Sequence, residues 1–488
     1  MSLLLKVERG RIMIKFGTGG WRGIIAEEFT FENVRLFAQA VAEDILEKDE
    51  ESLGIVIGYD NRFMSENFAQ SAGCVFAANG ITVYMLHKPV PTPLVTFTTR
   101  ELNTSCGLTF TASHNPAIYN GVKYTCKGGL PATVEFTSHL EDKINGLSVE
   151  QVKSISWEQA IKQNNIKIIN MQHEYISDIE SCLDLNLIKE KRMNVLYDPM
   201  YGTGVTCMEM LLVDSRCNLK TIHSQRDPLF GGRVPAPNRE SLWRLRHMMK
   251  EGKYDVAFAT DGDADRLAVI DDRGDFLHPN EIIGLLYYYF LEVKGYMGGV
   301  ARNVCTTHLL DSIAKEYGYR VYETPVGFKY IGEQLLTTDA IIGGESSGGI
   351  AIRNHLLEKD GILAAGLMLE MIAIKKKKLS EIIREMKERF GYFYFSEKNY
   401  RFLPKEKNKI LEYVNCLVPN EITGREVVNV NKLDGVKYCL QDNSWISIRF
   451  SGTEPYLRVM AESSTEIQTA QMIQWLEQQI KKVTILFE

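Results

Sequence analysis

Thr109-Phe110-Thr111-Ala112-Ser113-His114-Asn115-Pro116, followed by Asn120-Gly121-Val122-Lys123, is the stretch that decides how this chain folds. The serine turn comes directly after Cys106-Gly107-Leu108-Thr109-Phe110, an apolar run suited to a buried strand. A residue before proline is driven out of the helical region, so Asn115-Pro116 forbids a simple helical continuation and leaves Ser113 at the tip of a turn. Strand ends that open into polar loops are where α/β proteins place reacting groups. Taken alone, the segment reads equally well as an ordinary Asx or Ser/Thr turn. The rest of the chain has to decide.

Working outward, Phe31 to Glu47 has the period of an amphipathic helix, and Gly54-Ile55-Val56-Ile57-Gly58-Tyr59-Asp60 reads as a buried strand with a polar end. A helix over 65–79 and a strand over 81–86 follow. This alternation predicts a mainly parallel, helix-covered sheet. The pattern restarts at the strand Met193-Asn194-Val195-Leu196-Tyr197-Asp198, which leads into Gly202-Thr203-Gly204, and a second strand covers Tyr254 to Thr260. It restarts near Asn280, with a strand over 300–305, a helix over 309–317 and a strand at Ala340-Ile341-Ile342. Three βα blocks of comparable size fit this spacing. The last hundred or so residues change texture, with short strands over 427–430, 436–441 and 445–450 and a terminal helix over 465–482. The run Lys375 to Lys378 reads as a solvated helix end.

A chain of 488 residues is too long for one core, and roughly three or four domains are expected. Its net charge of −6 argues against a nucleic-acid partner held by phosphate contacts, while leaving room for a local basic pocket for small anions. The nine cysteines form no Cys-x-x-Cys pair, so neither a zinc site nor a disulfide framework is expected, and reduced thiols in a cytoplasm are the simpler reading. No apolar run is long enough for a bilayer, and Ser2-Leu3-Leu4-Leu5 is too short for a signal sequence. Met13 directly precedes the first motif, so residues 1–12 read as an upstream extension.

Four loops carry candidate chemistry. Phe16-Gly17-Thr18-Gly19-Gly20-Trp21-Arg22-Gly23 sets Arg22 among glycines that permit close approach to a ligand, upstream of the serine loop. Asp261-Gly262-Asp263-Ala264-Asp265-Arg266 follows a strand, and a turn there can aim three carboxylates at one hard cation, Mg2+ or Ca2+. An EF-hand requires Gly at its sixth position and Glu at its twelfth; Arg266 and Asp272 stand there, so that reading fails. Glu345 and Ser347, in a glycine-flanked turn, suit sugar hydroxyls. Arg449-Phe450-Ser451-Gly452-Thr453-Glu454-Pro455 offers the guanidinium fork, hydroxyls and backbone N–H groups of a phosphate cradle.

With these motifs in this order, the chain resembles the α-D-phosphohexomutases. That family carries a T-A-S-H-N-P serine loop, a D-G-D-x-D-R metal loop, a G-E-x-S-G sugar loop and an R-x-S-G-T-E-P phosphate loop, and the match runs from Phe16 to about residue 480. The resemblance implies an α/β protein with four domains around a central cleft. Three are α/β domains with mixed, mainly parallel sheets (1–172, 173–275 and 276–392), and the fourth (393–488) is smaller and α+β. It also implies that Ser113 is phosphorylated and binds Mg2+ together with Asp261, Asp263 and Asp265. Arg22, His114, Lys123 and Lys359 join Ser113 in catalysis, with Arg266 beside the transferring phosphoryl group. Gly327, Lys329, Glu345 and Ser347 read the sugar, while Arg449, Ser451, Gly452 and Thr453 hold the other phosphate.

A phosphoserine carries about −1.5 to −2 charges at neutral pH, so it needs a cation and basic neighbours to sit in a cleft. Phosphoryl transfer then draws mainly on alignment and charge neutralisation. The implied cycle passes through a hexose 1,6-bisphosphate, which also acts as activator. The protein is expected to be a cytoplasmic monomer or homodimer with a small phosphosugar as its partner and no membrane or nucleic-acid ligand. For the sugar, His355-Leu356-Leu357-Glu358-Lys359-Asp360-Gly361 resembles the H-I-x-E-K-D-G segment of phosphoglucomutases. Gly349 stands where many phosphomannomutases and phosphoglucosamine mutases have histidine, and Val326 where the T-G-[WF]-K-[FY] loop has threonine. The expected activity is interconversion of glucose 1-phosphate and glucose 6-phosphate. Phosphomannomutase or dual specificity is the alternative, with phosphoglucosamine mutase after it. A serine hydrolase using His114 is the reading from another class; it lacks a Gly-x-Ser-x-Gly elbow, and adjacent turn residues rarely face each other.

Overall fold

In the computed structural model, which describes residues 7–8, 11–17, 19–450 and 456–485, the first sheet grows from Ile55–Tyr59 and Cys106–Phe110, whose residues are all buried. Alternate side chains of Ile55–Tyr59 feed two cores: Ile55, Ile57 and Tyr59 pack with Val34, Phe37 and Phe68, while Val56 packs with Leu94 and Val95. A strand covered on both faces must be apolar throughout, so it reads as a continuous run instead of an alternation. In order, Ile166–Ile169, Val83–Leu86, Ile55–Tyr59 and Cys106–Phe110 are parallel. Tyr119–Cys126, Gly20–Ile24 and Phe16–Gly17 then extend the sheet antiparallel.

The second sheet repeats the plan. Asn218–Thr221, Asn194–Asp198 and Val256–Thr260 are parallel, and Leu267–Ile270 then reverses, followed by Phe276–Leu277. So does the third, where Val321–Thr324, Val300–Asn303 and Ile342–Gly344 are parallel and Ile350–Ile352 reverses. Each sheet therefore turns from parallel to antiparallel at one corner. Residues 111–118, 261–266 and 345–349 are those three corners, which places the serine, acidic and sugar loops at equivalent points of three related units.

The fourth unit is a six-stranded antiparallel sheet in the order Tyr394–Arg401, Tyr456–Ser463, Trp445–Phe450, Val436–Leu440, Arg425–Asn431, Glu421–Ile422. It carries the helices Lys407–Cys416 and Glu466–Lys481 and has its own core around Tyr438, Ile446 and Leu476. The three strands and terminal helix read from sequence are there. The long edge strand Tyr394–Arg401 was not legible, because FSEKNYR is largely polar and shows neither an apolar run nor alternation.

One continuous core joins the second and third units through the helices Pro279–Glu292 and Gly361–Lys375, and takes in Leu94 and Phe97 of the first. The helix Gly361–Lys375 stops at Lys376, whose φ is 53°, and Lys376 to Lys378 are exposed, so this lysine run is a solvated helix end. All nine cysteines are free thiols. Among the described residues no helix is long and apolar enough to cross a membrane.

Candidate active site

Ser113 sits at the corner of the first sheet in a left-handed conformation, φ 49°, which costs energy for a residue with a Cβ and must be held from outside. Two buried side chains do this. Thr111 accepts from the Ser113 N–H (2.8 Å) and donates to Asp60 (2.6 Å). Arg62, fully buried and paired with Asp60 at 3.2 Å, donates to the main-chain carbonyls of Ser113, Asn115, Pro116 and Tyr119 at 2.6–3.0 Å. One guanidinium therefore pins the whole serine loop from behind. Its outer face stacks on Phe230 of the second unit, 4.9 Å from the ring centre. Sequence reading missed Arg62; the only signal was a charged pair, Asp60 and Arg62, directly past a buried strand.

From the second corner come Asp261, Asp263 and Asp265, all buried, with a carboxylate oxygen from each within 4.8 Å of the others. Ser113 Oγ donates to Asp261 Oδ2 at 2.7 Å. Gly262 makes this approach possible, since a Cβ there would lie 2.7 Å from the Ser113 carbonyl oxygen. Lys123 reaches across to Asp263 (2.6 Å) and Asp265 (2.5 Å). Thr92 of the first unit donates to Asp263 Oδ2 at 2.5 Å. Arg266 lies 3.8 Å from Asp265 and 4.0 Å from Asp261. Burial and the neighbouring Asp265 and Asp263 push Asp261 well above the usual carboxylate range. Burial would raise Asp265 too, but Lys123, Lys359 and Arg266 hold it below that range. The Oδ1 atoms of Asp263 and Asp265 are buried without a hydrogen-bond partner. Hard anionic oxygens converging with lone pairs to spare are the donor set that a divalent cation such as Mg2+ requires.

Arg22 donates to Asn115 Oδ1 at 2.5 Å, and its positive field joins that of Arg266 over the serine. His114 Nδ1 stands 3.3 Å from Ser113 Oγ, so these neighbours approach more closely than a turn was expected to allow. Arg266, burial and Arg22 together push His114 well below its ordinary pKa, keeping it neutral.

The third corner brings Glu345, whose Oε1 accepts from Asn303 (3.0 Å) and the Gly327 N–H (3.2 Å). Ser347 is exposed, 3.5 Å from the other carboxylate oxygen. Lys359 comes from the segment that follows and lies 3.3 Å from Asp265, 2.8 Å from Glu358 and 4.7 Å from the Phe328 ring centre. Its stem crosses directly over Gly349: a Cβ on Gly349 would lie 2.2 Å from Lys359 Cδ. Lys329, by contrast, stands over Tyr330 at 5.3 Å, with Glu135 as its charged neighbour, outside the acidic cluster.

Arg449 ends a strand of the fourth unit and pairs with Asp434 at 3.2 Å. Asp434 also accepts from the Val326 N–H at 3.0 Å, which joins this loop to the third unit. Ser451, Gly452 and Thr453, like Thr18, lie outside the described residues. Asn303, Thr92 and Asp434 also escaped the sequence reading, because their partners are far away in the chain.

Residues 13–150, 173–274, 278–390 and 414–475 match, in turn, the models of the phosphoglucomutase/phosphomannomutase alpha/beta/alpha domains I, II and III and of the C-terminal domain of the same family. The chain belongs to the phosphoglucomutase/phosphomannomutase family. Its fold is thus three α/β/α domains and a C-terminal domain, and members of this family are mutases. A phosphoglucomutase/phosphomannomutase of Thermococcus kodakarensis is 30% identical over 459 residues, spanning 92% of this chain and 95% of the relative. A phosphoglucosamine/phosphogalactosamine mutase of Sulfurisphaera tokodaii is 29% identical over 461 residues, spanning 92% and 95%. Among solved structures, a candidate phosphomannomutase of Thermus thermophilus superposes with a TM-score of 0.83 at 29% identity, covering 96% of this chain and 99% of the other. Relatives named for different sugars match about equally well, so the family gives the reaction type and not the sugar.

Proposed function

We propose that this mutase interconverts glucose 1-phosphate and glucose 6-phosphate through a phosphoserine at Ser113 and a glucose 1,6-bisphosphate intermediate. The observation that supports the sugar assignment is Lys359 lying across Gly349. The phosphoglucomutase-like segment delivers its lysine to the acidic cluster, and the stem fills the room that a histidine on the sugar loop would need.

In this reading, Ser113 Oγ carries the phosphoryl group between the acidic loop on one side and Arg22, Arg266 and Lys123 on the other. Mg2+ held by Asp261, Asp263, Asp265 and a phosphoserine oxygen would supply the positive charge that three carboxylates cannot. Arg62 and Thr111 keep the serine loop fixed while its charge changes. As the bond from phosphorus to Ser113 Oγ breaks, a bond to one sugar hydroxyl oxygen forms. That hydroxyl loses a proton and the serine hydroxyl gains one, so no net proton is consumed. Lys359 holds positive charge beside Asp265, where the attacking hydroxyl arrives, and general acid–base or charge assistance of this kind is worth about 10²–10⁴ in rate. Glu345 offers the sugar its free oxygen, its other oxygen being fixed by Asn303 and Gly327. Arg449, with Ser451, Gly452 and Thr453, grips the phosphate that is not reacting and accepts either one after the intermediate turns around. Lys329 contributes at the sugar rim. The four working units are residues 1–172, 173–275, 276–392 and 393–488.

The test is kcat/KM for glucose 1-phosphate, mannose 1-phosphate and glucosamine 1-phosphate, with Lys359→Met alongside. Glucose 1-phosphate should lead, and Lys359→Met should lower kcat by about 10²-fold or more with Mg2+ binding retained. A preference of severalfold for mannose 1-phosphate, or comparable rates on both, replaces this assignment with a phosphomannomutase or dual-specificity enzyme.

A further inference from the structure

The segment that delivers Lys359 begins with His355, a residue to which the reaction above gives no part. His355 is buried, and each ring nitrogen meets a carboxylate: Nδ1 lies 2.7 Å from Asp178 Oδ2 and Nε2 lies 2.8 Å from Asp360 Oδ2. Both carboxylates are committed acceptors. Asp178 Oδ1 takes a hydrogen bond from Arg100 at 3.1 Å. Asp360 Oδ2 also accepts from the Tyr175 hydroxyl at 2.8 Å, and its Oδ1 accepts from the Ile362 and Leu363 N–H groups at the start of the helix Gly361–Lys375. A ring placed between two acceptors must donate from both nitrogens, which only the protonated imidazole can do.

The place of this cluster in the fold gives it a consequence. Arg100, on the first unit, donates to the His355 carbonyl at 3.1 Å; Tyr175 and Asp178 belong to the helix Gln172–Ser181, which opens the second unit; His355 and Asp360 belong to the third. Lys359 is the residue immediately before Asp360. Its backbone leaves a point fixed from three directions, while its ammonium must land within 3.3 Å of Asp265.

We propose that His355 is a positioning residue for the mutase reaction: held by Asp178 and Asp360, it fixes the backbone from which Lys359 reaches the acidic loop. This inference rests on the role given to Lys359 above and adds the device that aims it. The charged and titratable groups facing the ring are Arg100, Tyr175, Asp178, Cys182 and Asp360. Burial would lower the His355 pKa, but the hydrogen bonds to Asp178 and Asp360 outweigh it and raise it well above the ordinary value. A raised histidine contributes stability that is fully present below its unfolded value of about 6.5 and lost as pH rises through its folded value. Losing the proton also turns one of the two bonds into a lone pair facing a carboxylate.

The test combines one spectroscopic and two kinetic measurements on the full-length protein. Two-bond ¹H–¹⁵N spectra should show one histidine ring protonated on both nitrogens at pH 8, and that signal should vanish in His355→Gln. His355→Gln, which can still bond one carboxylate, should lower kcat on glucose 1-phosphate about tenfold, with KM and Mg2+ affinity within about twofold of wild type. It should also lose the alkaline fall in kcat that is expected of the wild type as His355 gives up its proton. Asp178→Asn, at a more accessible position, should give a smaller loss of kcat and move that alkaline limb to lower pH, so the inference remains testable if His355→Gln folds poorly. A His355 ring neutral at pH 7, a His355→Gln enzyme with unchanged kcat beside a crippled Lys359→Met, or an alkaline limb unmoved in Asp178→Asn overturns the inference. Normal kcat in Lys359→Met would instead sink the role of the lysine itself.

Discussion

Replacing Gly349 by alanine adds one methyl group at a place where the backbone accepts it, since Gly349 is not among the residues with positive φ. What it meets is the stem of Lys359, 2.2 Å away at Cδ and 2.7 Å at Cγ, with Phe328 at 3.4 Å behind. Carbon atoms pack at about 3.5–4.0 Å, so the stem must shift by roughly 1.3 Å or more. These are mid-chain atoms of a side chain held at its far end by Asp265, Glu358 and the Phe328 ring, so the shift must carry the ammonium with it. Moving a unit charge from about 3.3 Å to about 5 Å of its partner, at an effective dielectric constant near 20, weakens the attraction by about 1–2 kcal/mol. If all of that is felt in the transition state, kcat falls roughly five- to thirtyfold. A coupled assay with glucose 1-phosphate measures this directly, with thermal unfolding as the control for folding. Gly349→His should fall further, since a larger group meets the same stem. In a Lys359→Ala background the stem is absent, and Gly349→Ala should then add almost nothing, a non-additivity that marks contact. Gly349→Ala with kcat within twofold of wild type, or losses that simply add in the double variant, would refute the steric argument.

Ser113→Ala should abolish turnover without unfolding the protein, and intact mass should show one phosphate, mapped to Ser113, on a fraction of wild-type molecules; a fully active Ser113→Ala ends the mechanism. Asp263→Asn should weaken Mg2+ by roughly 10–100-fold by calorimetry and lower the rate with it, and EDTA should silence the wild type until Mg2+ is restored. Indifference to chelation would reduce the three aspartates to an acidic turn. Arg62→Leu strands Asp60 and four loop carbonyls, so denaturant unfolding should show a loss of about 3–5 kcal/mol, while Arg62→Lys, which keeps the charge but not the fork, should fall between. A fully stable Arg62→Leu would show that the loop holds itself.

The parts legible in the sequence were those written in contiguous residues. Cys106–Phe110 and Ile55–Tyr59 are buried on both faces and so appear as apolar runs, and Asp261, Asp263 and Asp265 share one turn. The reversal of each sheet at its corner was not read, because the strands after the loops, Tyr119–Cys126, Leu267–Ile270 and Ile350–Ile352, went unassigned. What stayed hidden depends on distant partners. Arg62 looks like a solvated charge until the serine loop, more than fifty residues on, folds over it. Asp434 gains meaning only from Val326, 108 positions earlier, and Arg449 beside it. Lys329 belongs to a sugar-reading motif by its letters, yet the helix Val134–Gly146 puts Glu135 near it and outside the acidic cluster. His355 opens a phosphoglucomutase-like segment by its letters, but nothing local announces that Asp178 will stand on its other side.

The three corners have a bearing on how such a catalyst can diversify. A loop that joins neighbouring antiparallel strands starts and finishes about 5 Å apart whatever its sequence, because the ladder beneath fixes that spacing. Its contents can be rewritten without disturbing the anchor points. Gly349 with the stem of Lys359 across it, in place of a larger side chain, is one such content of the 345–349 corner. The serine and acidic corners, tied to each other through Asp261, Lys123 and Thr92, leave far less latitude. Descendants of this scaffold would then keep the phosphoryl chemistry of two corners while trying new sugars at the third.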